Sequence, residues 1–438
     1  MKMLSLKTDN SIALIFGRKQ YSWKQLFQSI INWKSILEKE FSDLNDDDLI
    51  LIFLDNRIEF VSIFYSVIFH KGIFFPVDTN LTTDNIYSLI KKNKIKFLIT
   101  ENKYSGAFKK VDCKCIIADT YKIKSYPSGQ LKLTRKADSR VICQLTSGST
   151  GTSKPVFRTY SDLLEECSSV SDRLKLIKTD ILFCPLKLSH SYALTTCLTA
   201  IMYSGGTFAG LNQFTPYEFQ CLLNKKITIL AENPYLFELI CRLSKKRKFN
   251  MKNIRLFISA GAPLPENTLN KFQNIFKKDI SQLYGMTETG AASINYPVHV
   301  KELFSCGKPF LHIKIIISKK GLIEVHKRTG ITKTKDLGKW SQENNLVVSG
   351  RNDTLIELNG KKLNSTEIKK VINKYPAISD VRIYKCVVKE KEILKAQIVS
   401  SKKILSCELF DFCLTKLPRY MIPSIFLRVR KFAEKRLV

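Results

Sequence analysis

The sequence predicts an α/β protein, with a large multi-layer α/β N-terminal domain over residues 1–349 and a small α+β C-terminal domain over 350–438. Three observations point there. A chain of 438 residues suggests two or three domains with a substantial core. Short apolar runs alternate with helical stretches along most of it, the rhythm of parallel strands joined by crossover helices. Near Gly350 that rhythm gives way, after the polar stretch TKDLGKWSQENN, to a hairpin–helix–strand pattern.

In chain order, DLILIFLDN (Asp48–Asn56) reads as a buried strand, residues 57–71 as a helix, and GIFFPVD (Gly72–Asp78) as a second strand. KFLIT (Lys96–Thr100) and KCIIAD (Lys114–Asp119) continue the pattern. Beyond Gly350, Asn359-Gly360 predicts a tight hairpin turn, and Ser365 or Thr366 caps the helix after it. DVRIYKCVV and KAQIV read as strands, and CELFDFCLTKLP as a closing helix. There is no internal repeat, coiled coil or low-complexity tract.

Hydrophobic residues at 44% and charged residues at 25% are ordinary for a globular protein. The balance of 71 Lys+Arg against 39 Asp+Glu, a net +32, is not. It has two readings: a Lys-rich solvated surface, of the kind AT-rich coding favours, or attraction to an acidic partner such as nucleic acid, an anionic membrane or an acidic carrier protein. A nucleic-acid-binding protein predicts basic residues clustered with aromatics, or a known binding motif. The basic residues are instead spread along the chain, so no nucleic acid is expected. Twelve cysteines, with only Cys113 and Cys115 close together, match neither a zinc site nor a disulfide scaffold and suggest a reducing compartment. The N-terminus does not read as a secretory leader, and FVSIFYSVIF (Phe60–Phe69) is too short to span a bilayer. The expected location is the cytoplasm.

The segment richest in chemistry is LTSGSTGTSKPV (Leu145–Val156), following the strand-like VICQL. Glycines allow tight turns that aim several backbone N–H groups at one anion, and Lys154 adds charge. Walker A spacing is absent, which disfavours a P-loop NTPase. Other segments carry chemistry-bearing residues in a fixed order: QYSWKQL, NRIEF…GIFFPVD, SAGAPLP (Ser259–Pro265), QLYGMTETG (Gln282–Gly290), TKDLG (Thr334–Gly338), GRNDTLIELNGKKLNSTEI (Gly350–Ile368) and LPRYMIPS (Leu417–Ser424).

Taken together, these segments resemble the acyl-adenylate-forming superfamily: acyl- and aryl-CoA synthetases, peptide-synthetase adenylation domains and firefly luciferase. The resemblance covers nearly the whole chain. It implies ATP-dependent activation of a carboxylic acid with Mg²⁺, then transfer to a phosphopantetheine thiol. It also implies that Thr146, Ser147, Gly148, Ser149, Thr150, Gly151 and Lys154 hold the β- and γ-phosphates. Gly261, Ala262 and Pro263 would form a shelf for adenine, with Tyr284 stacked on the other side and Gly285 and Met286 beside it. Thr287 would bond the α-phosphate, Glu288 would hold Mg²⁺, Asp336 would accept the ribose hydroxyls, and Arg351 would contact ribose or phosphate. Asp353 matches the hinge about which the small domain moves, and Gly360 the glycine lining the thiol channel.

The tail MIPSIFLRVRKFAEKRLV lacks the family's P-x-T-x-x-G-K, which leaves Lys435 as the candidate for its lysine. Tyr160 stands where a His is common, and Glu357 where a Lys is frequent. PLKLSHSYAL (Pro185–Leu194) aligns with the acyl-pocket segment, placing His190, Ser191 and Tyr192 there. Amino-acid-activating members carry an Asp in this segment to pair the substrate ammonium. Burying an ammonium without such a partner is costly, so an aryl, aryl-acrylic or fatty acid lacking an α-amine is expected. The thiol belongs to an acidic acyl carrier protein on the charge argument, or to free coenzyme A. A degenerate, nucleotide-binding member of the family is the remaining alternative.

Overall fold

LILIF at Leu49–Phe53, IFFP at Ile73–Pro76 and FLIT at Phe97–Thr100 are rich in β-branched and aromatic residues with almost no polar alternation. Such runs suit strands covered on both faces, and here they pair in parallel. The computed structural model describes residues 9–121, 131, 133, 135–146, 154–212, 214–245, 247–298, 302–351, 355–388 and 391–429. In it these strands centre a six-stranded sheet, ordered Lys114–Ile117, Phe97–Thr100, Leu49–Phe53, Ile73–Pro76, Arg140–Thr146, Lys154–Thr159. Each expected strand is present with trimmed ends. The expected helix runs Ile58–Ile68 and is buried on all sides, as its continuous apolar sequence requires.

A nine-stranded sheet follows the order Lys308–Pro309, Gly290–Ile294, Ser281–Met286, Leu256–Ala260, Ile229–Glu232, Ile181–Phe183, Thr207–Gly210, Ile12–Phe16, Lys19–Ser22. From Ser281–Met286 to Ile12–Phe16 the neighbours are parallel; the flanking pairs are antiparallel. One core joins this sheet to the first through Ile50, Phe64, Phe74, Met202, Phe208 and Ile258. A second core, with Phe183, Leu230, Phe257 and Phe272, covers another part of the nine-stranded sheet. Lys314–Ile317, Leu322–Lys327, Gly330–Trp340 and Leu346–Arg351 make a four-stranded sheet.

The chain divides into two compact units. The larger takes the described residues of Met1–Thr79, Lys94–Leu145 and Pro155–Gly350, and the smaller those of Asn80–Asn93, Thr146–Lys154 and Arg351–Val438. Within the smaller unit, Leu355–Leu358 and Lys361–Asn364 form the expected hairpin. Its corner residues Asn359 and Gly360 both take positive φ, +49° and +75°, which is what a two-residue turn matched to strand twist demands. The helix Ser365–Ile372 begins one residue earlier than a Ser365 or Thr366 cap implies. Ile378–Val388, Lys391–Ser400 and Ile425–Val429 form a three-stranded sheet, and Ser406–Leu414 is helical. This unit has its own core of Leu363, Ile368, Ile372, Val381, Ala396 and Leu409. Among the described residues, no helix is long and apolar enough to cross a membrane.

Candidate functional site

Parallel strands of an α/β sheet present their carboxyl ends to a common crevice, where ligands bind. Leu256–Ala260 ends there in Gly261, whose φ of +85° turns the chain away and which has no atom within 4 Å of where a Cβ would lie. Ala262 is half-buried and Pro263 exposed just beyond. The neighbouring strand Ser281–Met286 carries Tyr284, Gly285 and Met286 to the same edge, with Ala260 in register with Leu283. Tyr284 is buried, and its phenol donates to Asp336 Oδ2 at 2.8 Å. Burial and the adjacent carboxylate push that phenol well above its usual pKa. Asp336 is 5% exposed and sits on Gly330–Trp340, where its amide donates to Thr334 Oγ1 at 3.1 Å. The structure thus brings together the residues expected at adenine and at ribose.

Thr287 and Glu288 occupy the turn between Ser281–Met286 and Gly290–Ile294. Both are half-buried, and the Glu288 carboxylate has no protein partner among the described residues. The Glu288 carbonyl accepts from Lys327 Nζ at 3.2 Å. Beneath the turn lies a buried ion pair that the sequence did not announce, Arg158 with Glu166. Glu166 also accepts from the Ala291 amide at 2.9 Å and from Thr196 Oγ1 at 2.6 Å. Gly290 has φ +70°, and a Cβ there would collide with the Glu166 carboxylate and lie 2.8 Å from Arg158 Nη1. Lys327 also lies 3.7 Å from Asp162 Oδ1, and its burial next to Arg158 lowers its pKa. Arg158 and Glu166 stand six to eight residues after the phosphate-loop segment, where amphipathic spacing alone reads as an ordinary helix start.

The segment after Ile181–Phe183 leads through His190 and Ser191 into a π-helical turn, Tyr192–Leu198. Such turns are uncommon and concentrate at functional sites. Buried Asn56 clamps this segment, donating to the Leu186 and Leu211 carbonyls, both at 2.9 Å, and accepting from the Leu188 amide at 2.7 Å. Ser191 Oγ lies 3.4 Å from Thr287 Oγ1, so the expected acyl and phosphate residues meet. The His190 side chain is half-exposed and reaches 4.0 Å from Asp78 Oδ2. Asp78 is already paired to Lys187 Nζ at 2.9 Å. Tyr192 encloses its hydroxyl without a hydrogen-bond partner. A second unannounced residue, Glu232, ends the strand Ile229–Glu232 and is 5% exposed.

The remaining expected residues are placed as follows. Thr146 ends one strand and exposed Lys154 begins the next, with Thr146 Oγ1 donating to the Lys154 carbonyl at 3.4 Å. Ser147, Gly148, Ser149, Thr150 and Gly151 lie outside the described residues, as do Asp353 and Lys435. Arg351 closes the strand Leu346–Arg351, and Gly360 forms the hairpin corner given above.

The sequence model of a family described as AMP-binding enzyme matches residues 5–329. An acyl-CoA ligase sidI of Aspergillus fumigatus is 26% identical over 274 residues, covering 54% of this chain and 46% of that protein. The chain thus matches about half the length of that relative. A 3,4-dihydroxybenzoate–[aryl-carrier protein] ligase of Bacillus anthracis is 24% identical over 295 residues, covering 66% of this chain and 69% of that one. Among solved structures, the o-succinylbenzoate CoA synthetase MenE of Bacillus subtilis, a double mutant bound to a product analogue, superposes with a TM-score of 0.86 at 21% identity, covering 98% of this chain and 94% of that one.

Proposed function

The chain belongs to the AMP-binding enzyme family, and on that premise we propose that it activates a carboxylic acid as an acyl-adenylate and passes the acyl group to a thiol. The observation carrying this reading is the meeting, at one edge of the nine-stranded sheet, of the Tyr284–Asp336 pair, the Gly261 turn and the Thr287–Glu288 turn. Flat backbone at Gly261–Pro263 and the Tyr284 ring suit a purine between them. Asp336, a buried acceptor, suits the vicinal ribose hydroxyls.

In the first step a carboxylate oxygen attacks the α-phosphorus, the bond to the bridging oxygen of the β-phosphate breaks, and pyrophosphate leaves. Two anions must meet, so the barrier falls through positive charge and positioning. Thr287 would donate to the α-phosphate. Lys154 and the backbone of 146–151 would hold the departing phosphates. The Glu288 carboxylate, without a protein partner among the described residues, fits a hard cation that prefers oxygen ligands. Mg²⁺ held there would neutralise phosphate charge. Arg351 and Lys435 complete the proposed set, and movement about Asp353 would bring Gly360 to the thiol channel. In the second step the thiol sulfur attacks the acyl carbonyl, AMP leaves, and the thiol proton passes to solvent.

The acid is aryl or fatty and lacks an α-amine: Asp78, the carboxylate 4.0 Å from His190, is already engaged by Lys187. The net charge of +32 supports a phosphopantetheine arm on an acidic carrier protein. Free coenzyme A is the second reading, favoured by the ligases named for it above. Twelve free cysteines support a reducing, cytoplasmic setting. Hydroxylamine trapping tests the proposal: ATP and a suitable acid yield the hydroxamate, and Asp336→Asn and Lys154→Ala each lower its rate at least about a hundredfold. Equal rates in both variants would remove these residues from the reaction.

A further inference from the structure

Several buried polar side chains at the carboxyl edge of the nine-stranded sheet find no partner within the protein. Ser189 Oγ, Tyr192 Oη and Ser259 Oγ are enclosed without a hydrogen bond. Glu232 joins them. It opposes Ser259 in the parallel register, so the two side chains share a face of the sheet. The strand ending at Glu232 lies between the one that leads into the His190–Tyr192 segment and the one that leads into Gly261–Pro263. Its carboxylate accepts from the adjacent Asn233 amide. Among the described residues no Lys, Arg or His pairs with it. Tyr192, Cys184 and Cys197 lie within electrostatic range, all from the elements that carry the acyl segment. Burial holds Glu232 at a pKa of about 8.

Buried polar groups are almost always satisfied, and a carboxyl group left without a cation is costly. Four such groups gathered where the substrate enters, and few protein partners for them, leave a ligand to supply the bonds. We propose that Glu232, with Tyr192 and Ser259, forms the recognition end of the acyl pocket, and that the acid carries a hydrogen-bond donor, an ammonium or a hydroxyl, remote from its carboxylate. This rests on the activation reading above and narrows its substrate class. An α-amine is not required, because Glu232 lies away from the phosphate-facing Thr287 turn along the sheet edge.

The test uses isosteric acids: 4-(aminomethyl)benzoate and 4-(hydroxymethyl)benzoate against 4-ethylbenzoate, and 6-aminohexanoate against heptanoate. Acid-dependent pyrophosphate exchange is measured on the intact chain and on Glu232→Gln and Glu232→Leu. In the wild type, donor-bearing acids exceed their methyl isosteres in kcat/KM by at least about tenfold. Glu232→Leu reverses the order, and Glu232→Gln keeps hydroxyl acids while losing ammonium ones. A wild type that prefers the methyl isosteres, or a preference unmoved by Glu232→Leu, overturns the proposal. Exchange with no acid at all is a failure of the activation reading instead. Calorimetric titration of the same acids then decides the Glu232 inference, with equal affinity for 4-(aminomethyl)benzoate and 4-ethylbenzoate counting against it.

Discussion

The buried pair Arg158–Glu166 shows how a residue remote from the chemistry governs it. Glu166 is fully buried and holds the Ala291 amide, just beyond the turn that presents Thr287 and Glu288. Removing one member leaves the other as an uncompensated buried charge, which costs about 3–5 kcal/mol, whereas replacing both by apolar residues of similar size is close to neutral. Glu166→Ala therefore destabilises strongly, and Arg158→Met with Glu166→Leu recovers most of the loss in urea unfolding. Equal loss in the single and double variants would contradict this account. None of it was legible beforehand, because an Arg and a Glu eight positions apart look like surface residues until the chain brings them together.

At the scale of elements, turns and strand ends carry the site. Gly290 and Gly360 both adopt positive φ, yet a Cβ at Gly290 would strike Glu166 and Arg158. Gly360→Ala costs about 1 kcal/mol from backbone strain alone, and Gly290→Ala costs more because packing adds to the strain. Hydrogen exchange over 355–364 and global unfolding separate the two; equal costs would place Glu166 elsewhere. The hairpin at Asn359-Gly360 was readable because its sequence states its backbone requirement. Glu232 was not, because a single carboxylate after ITILA looks like the solvated end of a strand. Its folded pKa of about 8 exceeds the ordinary Glu value of about 4.3. Between those values the folded state holds a proton that the unfolded state has lost, so stability falls as pH rises through the window and levels off above it. Glu232→Gln lacks that slope. Urea midpoints at about pH 5 and about pH 8 should show the variant gaining on the wild type with rising pH, and a constant gap would place the titration elsewhere.

On the scale of the whole molecule, the alternation of apolar runs and the ordered motifs made the α/β class and the family readable from residues alone. The pairing of strands across 52 and 76, or of Tyr284 with Asp336, depends on contacts distant in sequence and became visible only in three dimensions. The charge of +32 acts at this scale too. If it steers an acidic carrier protein, kcat/KM for acyl transfer to the carrier falls about tenfold between about 50 mM and about 500 mM salt, while pyrophosphate exchange changes little. Stopped-flow transfer assays read both, and a salt-independent transfer rate would favour a solvated, partnerless surface.

The central claim is formation of an acyl-adenylate, and the most direct measurement is exchange of labelled pyrophosphate into ATP by the purified chain across a panel of aryl and fatty acids. The account predicts exchange that requires an acid and Mg²⁺ and falls at least about a hundredfold in Glu288→Gln. Label that enters ATP with no acid present, or no exchange with any acid while ATP still binds, would contradict it.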